Sequence, residues 1–582
     1  MKGIQDKDAQ PMDRIRSQAK TVKSAEGRTT VQARFPDARI FEGPVGTPLA
    51  EFVRAAEKDP SIPVVAALVD GKLRELSCPV ERDSNVAPVS ITATDGLRIY
   101  QRALSFLLVV AAHELFPAAR VVIDHSLTLS GLYCEVRNHP PLTARQVRQL
   151  EDRMREIVQA DEPIVRHCVP LDEAREIFRR QGYDDKVSLL RFRQKNHLVL
   201  YELRGLYDYY YGHMVPSAGY LEKFGLSLCP PGLILLFPRR EAPTALPILR
   251  EHPRLAGVFQ EYEEWLDLLS VGDVGGLNEA IQTGRMPEVI LVAEALHDQR
   301  IAEIAREITQ RHDRARLVLI AGPSSSGKTT LAKRLAIQLI ANGVRPLHLA
   351  IDDYFVAREE TPKDCNGDYD FECLQAVDLE LLDRHVTELL AGRRVRLPHY
   401  DFAAGNRVWG REVSISKDQI ILAEGIHGLN PELLPNLPRE NVYRLYVSAL
   451  TQLNIDHHNR VPTTDTRLLR RMVRDSQYRG YSAGQTIQRW DSVTQGERRN
   501  IFPYQELADA MFNSALAYEL AVLKPFAAPL LAQIEPGGVE YIEARRLLAF
   551  LDWFLPWPPD AVPGNSLLRE FIGGSSLREF VP

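Results

Sequence analysis

The sequence predicts an α/β protein: a parallel sheet with a phosphate-binding loop in the C-terminal half, preceded by two smaller α+β units. Three observations predict it. The stretch "RLVLIAGPSSSGKTTLAKRLAIQLI" (316–340) supplies a buried strand, a glycine-bearing loop and a helix in that order. From there to about Leu531, strand-like runs alternate with helical ones, as in a parallel α/β sheet. Upstream, short alternating apolar runs are broken by turn signals, the pattern of small β-rich modules.

With 582 residues the chain exceeds one hydrophobic core. Residues 1–28 are polar, without hydrophobic period, and read as a disordered tail. Residues 29–94 hold "TVQARF" and "PVVAALVDG" around one helical stretch, "LAEFVRAA". Residues 95–185 add an apolar helix, the strands "ARVVIDHS" and "GLYCEV", and a charged amphipathic helix. Residues 186–300 read as a connecting region, with an aromatic loop around Tyr207–Tyr211 taken as a packed surface and a buried strand, "GLILLFP". The phosphate-loop domain spans 301–531, and 532–582 is a helical, then Pro-rich tail.

Apolar residues make up 45% and charged residues 25%, a globular mix, and the net charge of −6 argues against a protein that coats nucleic acid or an anionic membrane. The six cysteines form no CxxC pair, which points to reduced thiols. The N-terminus lacks an apolar signal core, and the longest apolar runs are about half a membrane span, so a cytoplasmic location is expected. His457 and His458 have no third ligand at suitable spacing and read as loop.

In the loop, Gly322 and Gly327 take the G-x-x-x-x-G-K-[ST] positions, so the stretch Pro323-Ser324-Ser325-Ser326, through the backbone N–H groups of its serines, and the following turn cradle a nucleotide triphosphate. Lys328 reaches the β/γ-phosphates, the Thr329 hydroxyl ligands Mg²⁺, and Thr330 continues the cradle. No NKxD base reader follows Thr329, which disfavours a GTPase. The strand "PLHLAI" ends at Asp352 and Asp353, where a carboxylate can take the proton of an attacking hydroxyl. "QIILAE" ends in Glu424, fitting an acid near Mg²⁺. Arg467, Arg470, Arg471 and Arg474 fall at i, i+3, i+4 and i+7, one helical face of guanidiniums. The stripe suits either a cationic lid over ATP or a solvated face paired with Asp465 and Asp475.

The motifs "GPSSSGKTT", "IDDYF", "YDFECLQAVD", "PHYDFAAGNR", "AEGIHGL" and "TRLLRRMVRDSQYRG" stand in the order of the uridine kinase/phosphoribulokinase family, which residues 317–525 resemble. The resemblance implies ATP and Mg²⁺ as cofactors and a nucleoside as acceptor. It implies Asp352 as the base for the 5′-hydroxyl, Glu372 on the ribose hydroxyls, Tyr400 and Arg407 in the acceptor pocket, and Arg467, Arg470 and Arg474 in the lid. Gly405 stands where pyrimidine-nucleoside kinases place a base-reading His, so the base is undetermined. Residues 29–92 resemble a TGS domain, and 95–185 the second additional domain of threonyl-tRNA synthetases. The places of that domain's HxxxH pair hold Arg102 and Phe106, which implies a retained fold without editing chemistry. The expected activity is an ATP-dependent nucleoside kinase. The competing expectation is an ATP-binding regulatory or RNA-linked switch. No membrane partner and no strong nucleic-acid signature are expected, and a homo-oligomer is compatible with the sequence.

Overall fold

The computed structural model describes residues 28–580 apart from 58, 60, 128–130, 250–251, 364–366 and 403. The tail expected over 1–28 thus lies, but for its last residue, outside the described residues.

The alternating segment at 30–90 folds into a mixed five-stranded sheet. Its two edge pairs are antiparallel, and Thr30–Arg34 runs parallel to Ser84–Ser90. Helix Leu49–Ala56 lays Leu49, Phe52, Val53 and Ala56 on that sheet, spaced to share one face. Next comes the apolar helix Thr94–Leu115, buried along nearly its whole length from Ile99 to Ala112.

The segment expected to be connecting is not a connector. Strands Gly225–Cys229 and Gly232–Leu236 pair antiparallel beside Gly131–Arg137 and Arg120–Leu127, completing one four-stranded sheet. Strands His197–Leu203 and Leu206–Asp208 build a second, three-stranded sheet with Val165–Pro170. The Tyr207–Tyr211 stretch is packed, with Tyr209 against Trp553 and Tyr211 against Phe550.

In the C-terminal half five strands run parallel in the order Arg345–Ala350, Gln419–Glu424, Leu317–Ala321, Val442–Ser448, Ala510–Asn513. All five residues of Leu317–Ala321 and all seven of Val442–Ser448 are buried, as strands covered on both faces must be. A parallel sheet collects its C-terminal strand ends on one edge, and the site is built there.

The two halves share a core. One apolar cluster joins Phe178, Leu189, Leu277 and Ile290 to Leu468, Leu469 and Met472 and to Phe550, Trp553 and Phe571. Arg98 of the apolar helix donates to Glu543 at 2.7 Å, and Arg546, one turn further on, donates to Asp465 at 2.6 and 2.8 Å. Lys186 is buried between Asp208 at 2.8 Å and Asp456 at 2.7 Å, the latter from the C-terminal half. No helix among the described residues is long and apolar enough to cross a membrane.

Candidate active site

The loop after Leu317–Ala321 has the backbone its glycines predict. Gly327 sits at φ +86° and Ser325 at φ +59°, and a Cβ on Gly322 would overlap the Val447 carbonyl oxygen. Helix Lys328–Ala341 follows at once, so its orphan amides point into the loop. Lys328 Nζ donates to the carbonyls of Gly322 at 2.9 Å and Pro323 at 3.2 Å, folded back over the loop. The Ser325 and Ser326 hydroxyls are buried with no partner among the described residues.

Strand register sets the acids. Glu424 pairs with Ile320 on one side and with Ala350 on the other, so the loop, Glu424 and the turn after Ala350 share one edge. The Thr329 hydroxyl donates to Glu424 at 2.9 Å. These two oxygens form a hard pair suited to Mg²⁺, which takes few protein ligands and completes its shell with phosphate and water. No cluster of three or more His, Cys, Asp or Glu side chains that could hold a metal ion occurs among the described residues.

The two aspartates after Ala350 separate by contact. Asp353 accepts from the Tyr400 amide at 3.1 Å and pairs with His399 at 2.9 Å, fastening the hairpin Val395–Asp401/Asn406–Val413. The Asp352 carboxylate accepts no hydrogen bond among the described residues, its backbone carbonyl alone accepting from the Phe355 N–H. Burial and the Glu424 carboxylate push its pKa up to about 6, against the pull of Lys328. A base near neutrality is the useful kind for taking a hydroxyl proton.

Glu372 lies under helix Ala483–Asn500, its backbone carbonyl accepting from Asn500 at 2.7 Å. Burial and Glu497 push its carboxyl up to about 7, and one of its oxygens has no partner. Tyr400 is buried between Phe355 and Phe402, its hydroxyl likewise without a partner. Arg407 donates to Asp378 at 2.7 Å. Gly405, at φ +73°, leaves the place taken by Arg358, whose guanidinium a Cβ there would meet at 2.9 Å.

The arginine helix Thr463–Tyr478 differs from the expectation of a free cationic face. Arg467 is buried in an ion pair with Glu497 and donates to the Ser324 carbonyl at 2.9 Å. Arg470 is buried against Glu519 at 2.6 Å and Ser514 at 2.7 Å. These two brace the loop from behind. Arg471, which donates to Ser324 Oγ at 2.7 Å, and Arg474, paired with Asp475 at 3.0 Å, are the more accessible. Close packing against the Glu497, Glu519 and Asp475 carboxylates offsets the repulsion along the stripe.

Two residues that sequence reasoning missed sit on the loop's amides. Glu497 accepts from the Ser324 N–H at 2.8 Å. Glu570, from the C-terminal segment, accepts from the Thr330 N–H at 3.2 Å and its hydroxyl at 2.7 Å. Each carboxylate occupies a donor that an anion-binding loop offers to phosphate. Glu570 stands in the run "NSLLREFIGG" and Glu497 in "TQGERRN", neither of which carries motif spacing.

Residues 317–520 match the model of the Phosphoribulokinase / Uridine kinase family. The match falls on the phosphate-loop region of the C-terminal half, and the matched span contains every acid and arginine of the site described in this subsection except Glu570. The N-terminal region matches threonine–tRNA ligases: that of Burkholderia lata is 32% identical over 199 residues, covering 34% of this chain and 31% of that protein. That of Polynucleobacter necessarius is 32% identical over 195 residues, covering 33% and 30%. The chain therefore spans about a third of the length of the curated relatives it matches. Among solved structures, one described as a possible uridine kinase from Bacillus stearothermophilus shares 22% identity at a TM-score of 0.26, covering 37% of this chain and 98% of that one. D-glycerate 3-kinase from Cryptococcus neoformans shares 17% at 0.22, covering 47% and 87%.

Proposed function

We propose that the protein transfers the γ-phosphoryl group of ATP to the 5′-hydroxyl of a nucleoside. The observation that carries this reading is Asp352, a carboxylate without a partner, held beside Lys328 and the Thr329–Glu424 pair. Bound Mg²⁺, held through Thr329 and Glu424, would offset charge on the β- and γ-phosphates. Lys328 swings from its own loop carbonyls onto the phosphates, and the Ser325 and Ser326 hydroxyls face the same cradle. Asp352 accepts the acceptor's hydroxyl proton as its oxygen attacks phosphorus. Glu372 orients the ribose hydroxyls, Tyr400 and Arg407 shape the acceptor side, and Arg471 and Arg474, the more accessible cations of the stripe, exchange their present partners Ser324 and Asp475 for the moving group. Arg358, where a base reader would stand, adds a cation to the acceptor side. The N-terminal half, on this reading, keeps a TGS-like module and a synthetase-like fold whose Arg102 and Phe106 are structural. Arg102 donates to the His213 carbonyl and Phe106 is fully buried.

Phosphoryl transfer from ATP·Mg²⁺ to a panel of nucleosides, with ribulose 5-phosphate and pantothenate included, tests the reading. Transfer to one nucleoside, lost in Lys328→Ala, is expected. Transfer only to a non-nucleoside would replace the acceptor, and ATP binding without any transfer would favour the regulatory switch. Glu497 and Glu570 on the loop amides are what speak for a switch. Either way, the Glu570 carboxylate competes with triphosphate for Thr330. Glu570→Ala is expected to tighten ATP binding by about fivefold, read by titration calorimetry, since it removes a negative charge beside the helix N-terminus. Unchanged affinity would mean the carboxylate moves aside without cost.

A further inference from the structure

We propose that the cavity of about 330 Å³ between the N-terminal units and the kinase-family domain binds a small organic anion: a carboxylate or phosphate ester on a compact apolar body. Its size is that of a small-molecule pocket, and it lies where such pockets concentrate, between domains. Leu97, Leu132, Phe237, Phe259 and Trp490 supply apolar wall from both halves.

The polar end is specific. Six arginines but only three carboxylates line the cavity. Those three are taken: Asp491 pairs with Arg240 at 2.7 Å, Glu241 with Arg498 at 2.8 Å, and Glu497 with Arg467. Arg98 is paired outside the wall, with Glu543. Arg460 has no hydrogen bond or ion pair to its guanidinium among the described residues. The groups that act on it at longer range are all engaged, Tyr211 by donating to the Arg460 backbone carbonyl at 2.9 Å, Asp465 by Arg546 and Asp124 by His125. Beside Arg460 the arginine helix begins at Thr463 with no side-chain cap. The amides of Thr463 and Thr464, which also line the cavity, have no acceptor among the described residues. An unpaired guanidinium next to the uncapped start of a four-turn helix, opening into an apolar chamber, is an anion seat with a body pocket attached.

This chamber is separate from the acceptor side. Glu372 packs on the opposite flank of helix Ala483–Asn500, at Gly496 and Asn500. What the two regions share is the Arg467–Glu497 pair, whose members hold the Ser324 carbonyl and amide. An occupant of the chamber therefore presses on the residues that brace the phosphate loop.

The test is calorimetric titration of the full chain with phenyl phosphate and, separately, phenylacetate, using wild type, Arg460→Leu, Leu97→Trp and Lys328→Ala. Thermal melts first establish that each variant is folded, and the two cavity variants act independently. Saturable binding is expected for at least one probe. Arg460→Leu should weaken it by about tenfold or more, as loss of a charge-assisted contact does. Leu97→Trp should abolish it by filling the body pocket, and Lys328→Ala should leave it unchanged. Which probe binds tells a phosphate ester from a carboxylate. No saturable binding of either probe overturns the proposal. So does binding that survives both cavity variants, or that disappears in Lys328→Ala, since the probe would then sit on the phosphate loop.

Discussion

Asp352→Asn is expected to lower phosphoryl transfer by about a thousandfold while ATP still binds, the scale of loss for a general base. The amide matches the carboxylate in shape, and Lys328, Thr329 and Glu424 remain to hold nucleotide and metal. What is lost is the acceptor for the hydroxyl proton. The neighbouring aspartate gives the control. Asp353→Asn keeps an oxygen for the Tyr400 amide and perturbs only the hairpin attachment, worth about 1 kcal/mol. Steady-state rates on both variants, with ATP affinity measured by titration, decide the assignment. An equal loss at both positions, or full turnover in Asp352→Asn, would remove Asp352 from the chemistry.

The largest stability effect is expected at Lys186, far from the site. Its ammonium is buried between Asp208 and Asp456, and Asp456 also gathers the Asn459 side chain and the amides of His458 and Asn459. His458 completes the cluster with a 2.6 Å contact to Asp208. Lys186→Met preserves the stem but strands two buried carboxylates, a change that costs about 3–5 kcal/mol. Urea denaturation should show the midpoint falling by a corresponding amount. The pH dependence has a definite sign. Burial works to raise the Asp208 carboxyl, but Lys186 and His458 overcome it and hold it well below the usual range. Its contribution is therefore fully present above about pH 4, the ordinary aspartate value, and is lost as pH falls below it. Without the lysine the same carboxyl is raised, so the gap between variant and wild type should narrow on acidification. A gap constant from pH 7 to pH 4 would show that the cluster is not the source of the loss.

What was legible in the sequence was whatever chemistry packs into a few consecutive residues. The phosphate loop, the strand-end acids Asp352 and Glu424 and the spacing of the arginines could be read because backbone geometry alone brings each into place. The partners of those residues could not. Glu497 reaches Ser324 across 173 residues and Glu570 reaches Thr330 across 240, and neither stands in a pattern that announces a phosphate-loop contact. The stripe on Thr463–Tyr478 could be read from spacing, but which guanidiniums are buried braces and which are more accessible depends on Glu497 and Glu519, supplied by other helices. The same limit misplaced the boundary at 185. The pairing of Gly232–Leu236 with Gly131–Arg137 joins strands about a hundred residues apart, and antiparallel register at that range leaves no local trace.

The core that runs from Phe178 through Met472 to Phe571 has a consequence for heredity as much as for mechanics. A C-terminal half cut free at residue 300 would lose the cover that Phe178, Leu189, Leu277 and Ile290 give this cluster, and an N-terminal fragment would bare Phe178 and Leu189 in turn. Recombination that separates the halves yields two sticky fragments, so selection acts on the pair as a single unit.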